Sequence, residues 1–236
     1  MPAPPPPAVA WPQLLDIATT ALPVVGAWAA RRPVWSDPAG RVGLAWGVQF
    51  LCSLLQLYGV LSRQLAYTRV GLTLASVLLP VMLAPPLLRW IGPAAQRWQW
   101  AILGVTVGAA LVVLGAFGQG REYTLFYTTP LYFGLLVLSV SFLIAQARRA
   151  GDPQADTAVP GWLWIGGGHL VYFVTFVVGR PLIEVLVSLG WSEAVGAHMG
   201  TMLVYSGAMA AVAWGIWLGR VGARSARHAS VLPTPG

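Results

Sequence analysis

Arg180 and Glu184 lie four residues apart in the stretch TFVVGRPLIEVL (175–186), with Pro181 between them. A guanidinium takes a carboxylate or another anionic group through paired, charge-assisted hydrogen bonds. A carboxyl one helical turn away is its natural counter-charge. The surrounding run, from Pro160 to Leu189, is otherwise apolar. A charged side chain at the centre of a bilayer costs about 3 kcal/mol on insertion scales, so inside a membrane these groups need partners.

Further polar side chains fall at helical spacings elsewhere. Asp16 is an acid inside an apolar segment. Gln49, Ser53, Gln56 and Arg63 follow one another at intervals of four, three and seven, and His198, Thr201 and Tyr205 share a face. Tyr123 and Tyr127 add phenols, and helical spacing places His169, Phe173, Phe176, Arg180 and Glu184 along one stripe. The chemistry this set offers is recognition rather than bond-breaking. Arg180 holds an anionic group, with Asp16 or Glu184 as counter-charge, and Gln56, Tyr127 and His198 supply hydrogen bonds. There is no HExxH, no pair of intramembrane carboxylates, no histidine cluster and no GxSG nucleophile beside AHMG (197–200), so no enzyme is expected. Nor does any motif call for a cofactor or metal. Cys52 is the single cysteine, which excludes an intramolecular disulfide and a thiolate metal site.

The elements that must position these residues are membrane helices. Mean hydropathy is +0.69, and only 9% of the 236 residues are charged, against about a quarter in soluble domains. Runs of about 20 apolar residues cross a bilayer. Seven are present, at roughly 12–30, 43–62, 70–88, 99–118, 124–146, 161–188 and 195–219, separated by short pieces such as RRPVWSDPAGR and RRAGDPQADTAVPG. The predicted fold is an all-α integral membrane protein of seven transmembrane helices. Residues 1–11 form a disordered Pro-rich lead, 12–219 the helical domain and 220–236 a short basic tail. The lead lacks the basic n-region of a signal peptide.

Arginine placement orients the spans. Arg31, Arg32, Arg41, Arg89, Arg97, Arg148, Arg149, Arg220, Arg224 and Arg227 fall on one side; Arg63, Arg69 and Arg121 fall on the other. The positive-inside rule then puts the N-terminus outside and the C-terminus in the cytoplasm, in a cell inner membrane. The net charge of +7 comes from arginines scattered singly or in pairs, not gathered into a nucleic-acid stripe. In this orientation Asp16, Gln56, Tyr127, Arg180, Glu184 and His198 all reach the outer half of the bundle. The inner half holds little polar beyond His169. An outward-facing polar pocket is the expectation.

Plainer readings compete with it. Arg180 and Glu184 at i and i+4 neutralise each other at the interface if the arginine snorkels. His169, beside Gly166, Gly167 and Gly168, suits helix packing. Gln49, Ser53 and Gln56 suit interhelical hydrogen bonding, and Tyr123, Tyr127, Trp162, Trp164 and Trp191 suit interfacial anchoring.

The fourth segment, WQWAILGVTVGAALVVLGAFG, has only Thr106 as an internal polar residue and reads as a connector. Around it, TTALPVVG and TTPLYFG, GLAW and GWLW, and RVGLTLAS and AVGAHMGT fall in matching order, which suggests a 3+1+3 parallel repeat. That layout resembles in outline SWEET-like sugar transporters, nicotinamide-riboside-type vitamin transporters and microbial rhodopsins. Their diagnostic motifs are absent, and with no lysine there is no retinal Schiff base.

Two functions fit. The first is a small-molecule transporter or ligand-binding protein, hinged at Pro23, Pro80, Pro130 and Pro181. The second is a seven-helix sensor or accessory subunit acting through a membrane partner or as a homo-oligomer, with Gly104–Gly108, Gly196–Gly200 and Gly215–Gly219 as contact seams.

Overall fold

The structure is a computed structural model. It describes residues 11–31, 35–62, 64–116, 122–150, 159–190 and 194–229, with some side chains inside those helices left undescribed. The Pro-rich lead before Trp11, together with Arg32, Arg63, Arg121 and the last seven residues, lies outside the described residues. Among those described, every regular element is helical: α1 (Trp11–Ala29), α2 (Pro38–Leu61), α3 (Leu65–Leu88), α4 (Pro93–Ala116), α5 (Glu122–Ala150), α6 (Val159–Val174), a π-helical segment (Thr175–Gly179), α7 (Arg180–Ser188) and α8 (Ala194–Ala229).

Among the described residues, five stretches are long and apolar enough to cross a membrane, the mark of a multi-pass helical membrane protein. They are Pro38–Leu61, Ala66–Leu88, Thr129–Ala150, Pro160–Ile183 and Gly200–Leu218. Over their described side chains alone, the first and fourth of the seven expected spans do not reach that standard. In α1 the described apolar run is shorter, Ile17–Ala29. The first turns of α4 carry Gln96, Arg97 and Gln99.

Several helices begin a turn or more before the apolar runs that announce them. DPAGR reads as a breaker, yet Asp37 caps α2: its carboxylate accepts from the Gly40 N–H at 2.9 Å, and Pro38 takes the first helical position. There a missing N–H costs nothing. At the other extreme, α8 continues past the apolar limit to Ala229, so Arg220, Arg224 and Arg227 stand on a helix at spacings of four and three. Two helices stop through left-handed residues, α1 at Arg31 (φ 48°) and α7 at Gly190 (φ 78°).

The helices close into a ring. Consecutive members α1 to α6 pack side by side, α6 packs on α8, and α8 returns to α1. Here α4 is the outlier, held mainly by α5, while Gly104, Gly108 and Gly115 face open space. Close approach elsewhere depends on small residues. A Cβ on Gly26 of α1 would meet Ala213 of α8 at 2.8 Å, and one on Gly71 of α3 would meet the Cys52 carbonyl of α2 at 2.8 Å. Gly215, expected on an outer seam, is spent inside the fold, 2.5 Å from the Gly161 carbonyl by the same measure.

Candidate functional site

Midway through the ring the interior is filled by aromatic side chains around one histidine. Trp46 lies about 12 Å along α2 from its first residue and His169 about 15 Å along α6, so the two helices, which run in the same direction, meet at one level. The indole N–H of Trp46 donates to His169 Nε2 at 2.9 Å, and the two rings lie nearly parallel. Both side chains are fully buried. Because Nε2 accepts this bond, the ring is the neutral tautomer with its proton on Nδ1.

Phe173 stacks on His169 at 5.8 Å, and Tyr172 meets the edge of Trp46 at 5.0 Å. One turn further along, Phe176 sits between two phenols. Tyr132 of α5 is stacked at 4.3 Å and Tyr205 of α8 at 4.5 Å. Seven rings from α2, α5, α6, the π segment and α8 therefore form a continuous layer. These rings pack face to face and edge to face and fill this part of the interior with aromatic surface.

The layer ends where the backbone changes. Residues 175–179 are π-helical, and Arg180–Pro181 follow at once. Pro181 has no N–H to give to the carbonyl four residues earlier, and its ring crowds that carbonyl. Widening the preceding turn relieves both problems, and π-turns of this kind are frequent at functional sites. The extra residue in the turn also breaks the helical phase. His169, Phe173 and Phe176 do share the bundle interior. The regular spacing that placed Arg180 and Glu184 on the same stripe does not carry through the π segment.

Of the residues predicted to bind a ligand, Asp16 stands on α1, Tyr127 on α5, Arg180 and Glu184 on α7 and His198 on α8. Their side chains lie outside the described residues. Gln56 is half-buried with its Cγ against Gly71, on the seam between α2 and α3. Thr20, one turn beyond Asp16 on α1, donates its hydroxyl back to the Ile17 carbonyl at 2.8 Å. Ser206 donates to the Met202 carbonyl, so it accepts from Thr19 across α1 and α8 at 2.9 Å.

The arginine-rich end of the bundle, expected to be the inner half, carries more buried polar groups than the sequence reading placed there. Gln146 of α5 is fully buried, with neither amide atom hydrogen-bonded among the described residues, and Gln99 of α4 donates to Ser141 of α5 at 2.5 Å. Trp90 closes this end. Arg149 and Arg89 lie over its ring at 4.6 and 5.3 Å, and Trp162 lies beside it. Sequence reading passed over Gln146 because it precedes Arg148 and Arg149 and looked like part of the polar helix end. Trp46 had a signal. It continues the Gln49–Ser53 face inward by one turn.

Two described clefts open on outer faces of the ring, not into its interior. One, of about 550 Å³, runs between α6 and α8 past Trp164, Gly167 and Gly207. The other, of about 210 Å³, lies between the ends of α2 and α3 near Arg41. Among the described residues, no three His, Cys, Asp or Glu side chains converge as metal ligands do. Comparison with known proteins finds no matching family model, no matching curated protein and no matching solved structure.

Proposed function

We propose that this chain is a seven-span membrane transporter or ligand-binding protein, with its N-terminus outside and the arginine-rich end in the cytoplasm. Its ligand is a small molecule carrying an anionic group. The site is the outer segment beyond the aromatic layer, where Arg180 takes the anionic group and Asp16, Gln56, Tyr127, Glu184 and His198 stand on the surrounding helices. The observation that carries this reading is the π segment joining the Phe176 layer to Arg180–Pro181. A widened turn is a ready place for α7 to pivot, and the aromatic layer beneath it serves as the closed floor of an outward-open state. The chain is read as a carrier or receptor and not as an enzyme.

A thermal-shift screen of the purified protein against anionic metabolites tests this, with Arg180→Leu in parallel. A ligand at a hundredfold excess over its Kd adds about 2.7 kcal/mol of stability. A shift present in the wild type and lost in the variant supports the site; a shift retained by the variant removes Arg180 from it.

A second reading, as a sensor or accessory subunit, draws on the α4 face. Gly104, Gly108 and Gly115 leave that face open to a neighbouring helix. Co-purification of a stoichiometric membrane partner, with no response to any ligand, favours this reading.

A further inference from the structure

The smaller outer cleft combines one charge with an apolar wall. It is lined by Trp35, Arg41, Leu44, Val81, Met82 and Pro85, where the first turns of α2 meet the last turns of α3. Arg41 is exposed, and its Nε–H donates to the Trp35 carbonyl at 2.8 Å. That bond fixes the stem of the guanidinium and leaves its terminal nitrogens without a described partner. The acid one turn earlier, Asp37, is engaged by the Gly40 N–H.

The α3 side of the cleft adds acceptors. Pro85 and Pro86 have no N–H, so the carbonyls of Val81 and Met82 lack the helical donor four residues on. Trp35, three-quarters exposed, stands at the rim as interfacial tryptophans do.

We infer that this cleft is a binding site for one anionic glycerophospholipid of the phosphatidylglycerol type. Its phosphate rests on Arg41, its headgroup hydroxyls reach the Val81 and Met82 carbonyls, and an acyl chain lies along Leu44, Val81 and Met82. Charge complementarity selects the occupant. The cleft sits at the end of the bundle that also carries Arg89, Arg97, Arg148 and Arg149, the end the positive-inside rule assigns to the anionic cytoplasmic leaflet. A choline headgroup has no donor for the carbonyls and carries its own positive charge.

Native mass spectrometry of the full chain tests this, after exchange into detergent with equal dioleoylphosphatidylglycerol and dioleoylphosphatidylcholine. The expected result is one retained phosphatidylglycerol, favoured over phosphatidylcholine by about fivefold, the share of one arginine near a membrane surface. Arg41→Gln removes that preference. Arg97→Gln, at an exposed arginine of the same end outside the cleft, keeps it. Leu44→Trp fills the apolar wall with Arg41 intact and lowers retention of the lipid, which preserves the test if Arg41→Gln does not fold. Equal retention of the two lipids by the wild type overturns the inference. So does an undiminished preference in Arg41→Gln, or an undiminished retention of phosphatidylglycerol in Leu44→Trp.

Discussion

Trp46 and His169, on two helices that run in the same direction and 123 residues apart in sequence, share a hydrogen bond of 2.9 Å in the centre of the bundle. It ties α2 to α6 across the ring and holds the imidazole in one tautomer. Interhelical hydrogen bonds inside membrane proteins contribute about 0.6 kcal/mol on average, and up to about 1.7. Here both partners are fully buried, which points to the upper part of that range. A double-mutant cycle of Trp46→Phe, His169→Phe and the pair, read by unfolding in mixed micelles, should return a coupling near 1 kcal/mol. A coupling near zero would mean that stacking alone holds the two rings.

Adjacent glycines on α6 separate packing from exposure. A Cβ on Gly168 would come within 2.5 Å of the Ala208 carbonyl on α8, a backbone atom that cannot swing away, whereas nothing lies within 4 Å of the same point on Gly167. Overpacking a tight contact costs about 1–3 kcal/mol, while alanine gains up to about 1 kcal/mol over glycine in helix propensity. Gly168→Ala should therefore lower the thermal midpoint, and Gly167→Ala should leave it unchanged or raise it. If both variants behave alike, α6 and α8 are farther apart than the structure places them.

That contrast marks where sequence reasoning reaches and where it stops. GGGH at 166–169 read correctly as helix packing, because small residues beside a lone histidine have few other uses inside a membrane helix. Which glycine touches which helix depends on the phase of α6 against α8, and single-chain periodicity does not carry that. The helical membrane class was legible from composition. The caps were less so, since Asp37–Pro38 looks the same in a turn and at a helix start. The π segment was half visible. Pro181 announced an irregularity, but the extra residue belongs to the turn before it, where TFVVG has no residue that marks it. The π segment shifts the His169–Phe173–Phe176 stripe against Arg180 and Glu184, while those two keep their own four-residue spacing on α7.

Gln146 supplies a test of the inner half. Its amide is fully buried and neither atom finds a hydrogen-bond partner among the described residues. An unsatisfied buried group of this kind costs about 1–3 kcal/mol. Leucine is close in volume and carries no polar atom. Gln146→Leu should raise the unfolding midpoint if the amide is uncompensated. A lower midpoint would show that Gln146 holds a water or solute in the inner half, and would direct attention to a polar path on that side.

The π segment makes its own prediction. Pro181→Ala restores the missing N–H and removes the clash that the wide turn accommodates. The turn should then tighten toward α-helical bonding, and the amides from Thr175 to Arg180 should exchange with deuterium more slowly in the variant than in the wild type. If Arg180–Glu184 is mobile in the working cycle, the same variant should also weaken the ligand-dependent thermal shift. Unchanged exchange would place the cause of the π-turn in the Tyr132–Phe176–Tyr205 stack instead of the proline.

Topology can be read with cysteines, because the native thiol offers little interference. Cys52 is buried and is the only one in the sequence, so in a Cys52→Ala background any labelling reports an introduced residue. Ala95, beside Arg97 at the start of α4, and Gln64, in the turn between α2 and α3, are both exposed and lie at opposite ends of the bundle. If the arginine-rich end is cytoplasmic, a membrane-impermeant maleimide applied to intact cells labels Gln64→Cys and spares Ala95→Cys, and lysis exposes both. The opposite pattern inverts the orientation. It would also place Arg180 and the segment beyond the aromatic layer on the cytoplasmic side, turning the proposed ligand from an external solute into an internal one. Labelling of both positions in intact cells would remove one crossing between them, and with it the seven-span arrangement.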